Sequence, residues 1–351
     1  MCSNTLPLNP LPSLPSLPSL SPPPPPLLSA TLQRYCLRSY LISSPLPLHL
    51  LPLTARDAVT RFYKLPDKKL ALGSQLLQRM LICQTHHGVD PGITLQSVTL
   101  WKDPESGRPG YVQPKYTARP LIVDYNVSHH SGLVVLAALV PGGVSGSHGG
   151  GADGGTSRQG VGRVGVDVVP TALPAHWSTS PQDFLQSFTG PSAAIFTARE
   201  ISRIHSQPDW PRRVRLFYMY WALKEAYVKA TGTGLVTDLT LIEFRDVHLF
   251  DLDNHPPTTR YCGAKLYLAG IEQPQWYLEL EAFPATDAAA GVIAGDCGPE
   301  AGAENEENGD YYIAIATERE GLVEADLAAQ WKEVDVQKDI EVWDEVRNGL
   351  A

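Results

Sequence analysis

Within LFYMYWALKEAYVKATGTGL (216–235), Trp221, Glu225 and Lys229 recur at every fourth position. On a helix this spacing sets an indole, a carboxylate and an ammonium along one face. At 100° per residue, Leu216, Tyr220, Leu223, Tyr227 and Ala230 form a narrow stripe on the other side, and Lys224 flanks Glu225. Glu225 and Lys229 could be a plain surface ion pair worth about 0.3–0.5 kcal/mol. The indole one turn earlier suits a cleft wall better, because a large aromatic group is costly to leave in water.

A second carboxylate lies in GRVGVDVV (162–169), where Asp167 interrupts an apolar strand-like run. An unpaired carboxylate there is expensive unless it ends the strand, caps a turn or meets a cation. Facing Glu225, it would make a two-carboxylate site with an open coordination shell. Such a site suits Mg²⁺, which keeps waters and takes its other oxygens from substrate phosphates. In NVSHHSG (126–132), Ser128 and His129 point to opposite faces of a strand and cannot act together as nucleophile and base. No G-x-S-x-G is present. A polar turn that holds a phosphate fits this segment better. SGRPGYV (106–112) is a turn that would offer Arg108 to an anion. His86-His87 and His129-His130 raise the alternative of a metal-dependent hydrolase, although adjacent histidines lack the i,i+4 spacing of a helical zinc site.

The elements that must position these groups are legible in part. The spacing of Leu70, Leu77 and Leu81 predicts a helix over 67–82 with Asp67 as its N-cap. A strand ends the 123–140 run, another covers Val164–Val169, and a long helix runs from about Pro211 to Ala230, stopped at Thr231-Gly232. Two further strands are expected at Trp276–Phe283 and Tyr311–Thr317. The chain therefore reads as α+β, in two similar halves: 54–141 and 163–330. A glycine-rich linker (142–162) joins them, 284–310 is a solvated, disordered loop within the second half, and 331–351 is a C-terminal tail.

Residues 1–53 are Pro, Leu and Ser rich, with five consecutive prolines at 22–26. They are expected to be disordered and dispensable, or to lie upstream of the true start. Arg34 and Arg38 near serines, with no acidic residue before Asp57, have a transit-like composition. The proline density opposes the amphipathic helix that a mitochondrial address would need. The 351 residues carry a net charge of -9 and are 43% hydrophobic. This disfavours a general nucleic-acid binder, and no uninterrupted apolar run is long enough for a membrane span. Five scattered cysteines without a CxxC read as free thiols in a reducing, cytoplasmic setting.

GVDVV, then FTARE (196–200) and WALKEAYVK (221–229), preceded in order by GRP and NVSH, resemble the Sfp-type 4′-phosphopantetheinyl transferases, and most of all the fungal cytosolic enzymes. RFYKLPDKKLALGSQLL (61–77) and WKEVDVQKDIE (331–341) add to the likeness, which covers roughly 54–341. The resemblance implies a pseudo-dimer of two α+β halves with coenzyme A in the cleft between them. It implies Asp167 and Glu225 as Mg²⁺ ligands and Lys229 on the coenzyme A phosphates, with Lys224 its basic neighbour. Ser128 and His129 would contact the 3′-phosphate side, and Arg108 would be the basic residue of the first motif. Two positions depart from the pattern. Val169 stands where many bacterial members carry a second acid, and no Trp precedes Trp101, although the family opens on a Trp-containing strand.

The implied reaction is attack by a carrier-protein serine on the β-phosphate of coenzyme A, releasing 3′,5′-ADP. Glu225 is the base, directly or through a water, and Lys229 assists. The carriers would be acyl and peptidyl carrier domains of polyketide synthases, nonribosomal peptide synthetases, aminoadipate reductase and fatty acid synthase, served by a monomer without nucleic acid or membrane. The alternative from another class is a catalytically weak homologue that binds carrier proteins or coenzyme A.

Overall fold

The computed structural model describes residues 30–347 except 89, 114–121, 142–161, 174–178, 191–192, 251–258, 285–309, 320–321 and 323–326. The 142–162 linker (apart from Gly162) and nearly all of the 284–310 loop thus lie outside the described residues, as do 1–29.

Two helix-on-sheet halves make the molecule. In the first, the strands are β1 (Ala30–Arg38), β2 (Leu100–Lys102), β3 (Pro109–Tyr111), β4 (Asp124–His130) and β5 (Leu133–Pro141), with helices α1 (Leu53–Thr60) and α2 (Leu65–His86). In the second, β6 (Val164–Pro170) precedes α3 (Pro181–Thr189), α4 (Ala198–His205) and α5 (Trp210–Thr231). Then come β7 (Ile242–Arg245), β8 (Thr259–Tyr261), β9 (Lys265–Leu268), β10 (Ile271–Glu272), β11 (Trp276–Phe283) and β12 (Tyr311–Glu318). The chain ends with β13 (Lys332–Glu333), a π-helical turn over Val336–Glu341 and α6 (Val342–Arg347).

One sheet runs β13-β1-β5-β4 and another β6-β12-β11-β8. In each, the half's first strand pairs with its last, and the last pairs with the one before it. The mixed helix and strand content agrees with an α+β chain, and the two sheets share that strand order. Leu72, Leu76, Leu77 and Leu81 of α2 pack on one face of the first sheet with Tyr125, Val134 and Leu136. Leu216, Tyr220, Leu223, Tyr227 and Ala230, the whole expected stripe, are buried in the core that α5 shares with the second sheet, α3, α4 and β7. Between the sheets lies a third apolar layer, with Ala30, Leu32 and Val135 from one side and Val166, Ile313 and Ile315 from the other. Among the described residues no helix is long and apolar enough to cross a membrane.

Three expectations need correction. Residues 30–53 are ordered: β1 is a central strand paired along all nine residues with β5, and both of its faces are buried. Its two arginines are structural. Arg34 donates to both oxygens of Glu279 on β11 at 3.0 and 2.6 Å, and Arg38 pairs with Glu333 at 2.9 Å. Second, residues 331–347 are more than a tail. Tyr35 and Cys36 pair in parallel with Lys332 and Glu333, and Val334, Val336 and Ile340 fill the core of the first half. Third, Lys64 rather than Asp67 is the residue before α2, because Pro66 is accommodated in the first turn and carries the helix back to Leu65. Asp67 lies in that first turn, where its charge suits the helix dipole.

Candidate active site

Placement of the site begins with a glycine. The backbone of α5 presses so closely on β6 that a Cβ at Gly165 would lie 2.0 Å from the carbonyl oxygen of Ala226 and 2.4 Å from the nitrogen of Ala230. Only glycine permits that approach. Asp167, two residues on along the same face of β6, is thereby brought against the turn of α5 that carries Glu225 and Lys229. Asp209 caps the other end of α5 by accepting from the Arg212 N–H, and Gly232 closes the helix in the left-handed conformation at φ 69°.

Asp167, Glu225, Lys229, Ser128 and His129 all border one cavity of about 570 Å³, where the edge strand β4 of the first half meets the edge strand β6 of the second. Lys229 Nζ donates to Asp167 Oδ1 at 2.6 Å and to Ser128 Oγ at 3.0 Å, and Ser128 Oγ donates to the same Oδ1 at 2.9 Å. Tyr218 and Trp221 wall the cavity, and Trp221 is stacked on Phe217.

Lys229 is therefore turned to Asp167, and a surface ion pair with Glu225 does not form. Glu225 makes no hydrogen bond or ion pair among the described residues. Burial, and then the charge of Asp167, push its carboxyl above the ordinary range, with Lys229 opposing. His129 is pushed down by burial, then by the ammonium groups of Lys229 and Lys102. Lys102 of β2 is a cation near the site that no motif pointed to. Val169, at the position of the missing acid, is buried and borders the same cavity.

Two residues expected in the cleft are elsewhere. Lys224 is 1% exposed, pairs with the fully buried Glu200 of α4 at 2.9 Å and donates to the carbonyls of Leu239 and Ile242. It braces α5 against α4 and β7, because one step from Glu225 on a helix is a turn of 100°. Arg108 is also committed: it donates to both oxygens of Asp124, at 2.6 and 2.7 Å, and to the carbonyls of Lys229 and Ala230. His86, the other half of the hydrolase alternative, is buried on α2 against the Tyr111 hydroxyl at 2.9 Å. It does not border the cavity that holds His129.

Among the described residues no three His, Cys, Asp or Glu side chains cluster as a protein-only metal cage. Asp167 and Glu225 remain as two hard oxygen donors on one cavity, one of them uncommitted. That donor set fits a cation that fills its shell with water and substrate oxygens.

Comparison with known proteins gives two matches along the chain. Residues 163–293 match the 4′-phosphopantetheinyl transferase superfamily, and residues 45–140 match the N-terminal part described as 4′-phosphopantetheinyl transferase, N-terminal. The chain is 29% identical to 4′-phosphopantetheinyl transferase A of Aspergillus fumigatus, over 65% of its own length and 72% of the relative's. It is 32% identical to 4′-phosphopantetheinyl transferase 1 of Fusarium mangiferae, over 54% of this chain and 59% of that one. The L-aminoadipate-semialdehyde dehydrogenase-phosphopantetheinyl transferase of Schizosaccharomyces pombe is 33% identical, over 51% and 58%. The chain thus spans about three fifths of the length of the last two relatives.

Proposed function

We infer, from a chain that belongs to the 4′-phosphopantetheinyl transferase superfamily, that it transfers the phosphopantetheine arm of coenzyme A to a serine of carrier proteins and releases 3′,5′-ADP. The observation that carries this reading is the set of Asp167, Glu225 and Lys229 around one cavity at the junction of the two halves. The matched strand order of the two sheets supports a pseudo-dimer, with coenzyme A bound in the cleft between its halves.

Each residue has a role that its surroundings support. Lys229, 29% exposed, has its ammonium at the cavity wall, placed to meet the phosphates. Glu225 takes the proton of the attacking hydroxyl. It borders the cavity and makes no hydrogen bond or ion pair among the described residues that would hold it away from the hydroxyl. Asp167 fixes the Lys229 ammonium and, through Ser128, ties β4 to β6. His129 and Lys102 lie on the first-half side, where they suit the 3′-phosphate end of the substrate. Asp167 and Glu225 are the residues that would hold Mg²⁺, which when bound neutralises charge on the pyrophosphate. Tyr218 and Trp221 give the cavity an aromatic wall.

The nucleophile comes from the carrier, so the site needs no catalytic Ser or Cys of its own. Carrier domains of the aminoadipate, polyketide and nonribosomal-peptide kinds are the proposed acceptors. Incubating the protein with an apo carrier domain, coenzyme A and Mg²⁺, then weighing the carrier, tests the reading. A carrier heavier by one phosphopantetheine supports it. An unmodified carrier that nevertheless co-elutes with the protein would favour the binding-protein alternative, which the buried Val169 at the missing-acid position makes worth testing.

A further inference from the structure

The last turn of α5 carries Lys229, and its carbonyls are held from two sides. Val228 O accepts from Gly232 N within the helix cap, and Thr231 O accepts from Arg163 at 3.0 Å. The two carbonyls between them, those of Lys229 and Ala230, accept from Arg108 of the other half. A guanidinium at a helix C-terminus satisfies orphan acceptors and complements the dipole. Gly232 is shaped to admit it, since a Cβ there would lie 2.7 Å from Arg108 Cδ.

The same guanidinium is tied back to the first half by Asp124 at the start of β4, whose Oδ2 also accepts the N–H of Val164 on β6 at 2.7 Å. Arg108 and Asp124 therefore join four elements: the β2–β3 hairpin, β4, β6 and the C-terminal turn of α5. Four residues along β4 from Asp124, on the same face, Ser128 makes the second tie, to Asp167 and the Lys229 ammonium. Lys229 is thus fixed at both ends, its backbone by Arg108 and its ammonium by Asp167 and Ser128.

We propose that Arg108 and Asp124 form a latch across the two halves that positions Lys229 in the cavity. Arg108 acts through Lys229, with its guanidinium already committed to Asp124 and the helix end, and it is not an anion contact. This rests on the reading of Lys229 as a phosphate-binding residue, and two readouts separate the two ideas.

The first readout is independent of activity. Surface lysines of the full chain are acetylated with a limiting amine-reactive reagent and quantified by mass spectrometry. In Arg108→Gln and in Asp124→Asn, Lys229 should label several-fold faster than in the wild type, while Lys224, earlier on the same helix and buried, stays protected. Unchanged labelling of Lys229 overturns the latch. Joint exposure of Lys229 and Lys224 also overturns it, since that would show general loosening of α5. The second readout is transfer to a carrier domain with coenzyme A varied. Each single variant and the double variant should lose on the order of tenfold in kcat to the same extent, because two members of one latch are not additive. Arg108→Lys should recover only part of it, lacking the planar fork. A raised KM for coenzyme A in Arg108→Gln, with wild-type kinetics in Asp124→Asn, would overturn the latch in favour of direct substrate contact. If the wild type transfers nothing, the functional reading falls while the labelling still decides the latch.

Discussion

The same two sheets meet at two junctions with opposite outcomes. At one, β4 lies against β6, and Asp167, Glu225 and Lys229 surround an open cavity of about 570 Å³. At the other, β1 lies against β11, and the charges are closed on one another. Arg34 and Glu279, 0% and 1% exposed, form a two-point pair. Arg260 reaches Glu281 at 3.0 Å and Glu279 at 3.5 Å, and the Trp331 indole N–H donates to Glu281. A cavity of about 150 Å³ lies there, lined by Arg38, Glu281 and Phe283 among others. Equivalent places in a repeated fold do not make equivalent sites. Where Glu279 and Glu281 meet Arg34 and Arg260 the junction becomes a fastener, whereas Glu225 has no hydrogen bond or ion pair among the described residues.

The comparison breaks most completely if the closed junction can be removed. Deleting residues 1–53 takes away β1, the strand between β13 and β5 and the source of Arg34 and Arg38. We expect no cooperatively folded protein, read as loss of a sigmoidal melt. A truncated chain that melted like the full one would show that the closed junction holds nothing together.

Arg34→Ala is the next largest effect. It leaves Glu279 buried with the Tyr277 hydroxyl at 2.9 Å and only the single, longer contact to Arg260 at 3.5 Å. Removing one partner of a buried pair costs about 3–5 kcal/mol, which urea denaturation should register as a lower midpoint. Replacing both residues by apolar ones of similar size should recover much of that loss.

At the open junction the balance reverses, with function lost and stability largely kept. Asp167→Ala and Glu225→Ala should each lower transfer by on the order of a hundredfold or more, as loss of a preorganised charge contact does. The Glu225→Ala melt should stay near wild type, and Asp167→Ala, which takes the shared acceptor from Lys229 and Ser128, should lower the melt by less than Arg34→Ala does. Full transfer by either variant at saturating Mg²⁺ would dissolve the two-carboxylate assignment. Lys229→Ala should slow transfer or weaken coenzyme A binding by on the order of ten- to a hundredfold, as loss of a charged hydrogen bond implies. Lys229→Arg should restore only part of it.

These expectations also show what the sequence made legible. The α5 stripe, the flanking strands and the meeting of Asp167 with the Glu225 face follow from local periodicity and from the cost of a carboxylate in an apolar strand. β1 was hidden because it is buried on both faces and shows no alternation, and because its arginines have partners 245 and 295 residues away. Lys224 and Arg108 were misplaced for a related reason. A basic residue beside a motif looks available until its partners are known, and Glu200 and Asp124 come from other elements. Gly165 could have been found from the sequence, as a glycine inside a strand marks a close backbone approach.

The smallest expected effect tests whether leaving Glu225 unpartnered carries a cost in stability. Its carboxyl is raised above the ordinary 4.5 by burial and by Asp167, so the folded protein binds that proton more tightly than the unfolded chain. The stability linked to this group is therefore full below pH 4.5 and is lost as pH rises through the raised value. Glu225→Gln keeps the shape and removes the charge. With a chelator present, its melting temperature should equal wild type at about pH 4 and exceed it at pH 7, the gap opening between the two. At the closed junction Glu279→Gln should do the opposite and lower the melting temperature at pH 7, since it takes a charge from Arg34. If Glu225→Gln were the less stable protein at pH 7, Glu225 would have a cationic partner in the folded chain, and the contrast between the two junctions would lose its physical basis.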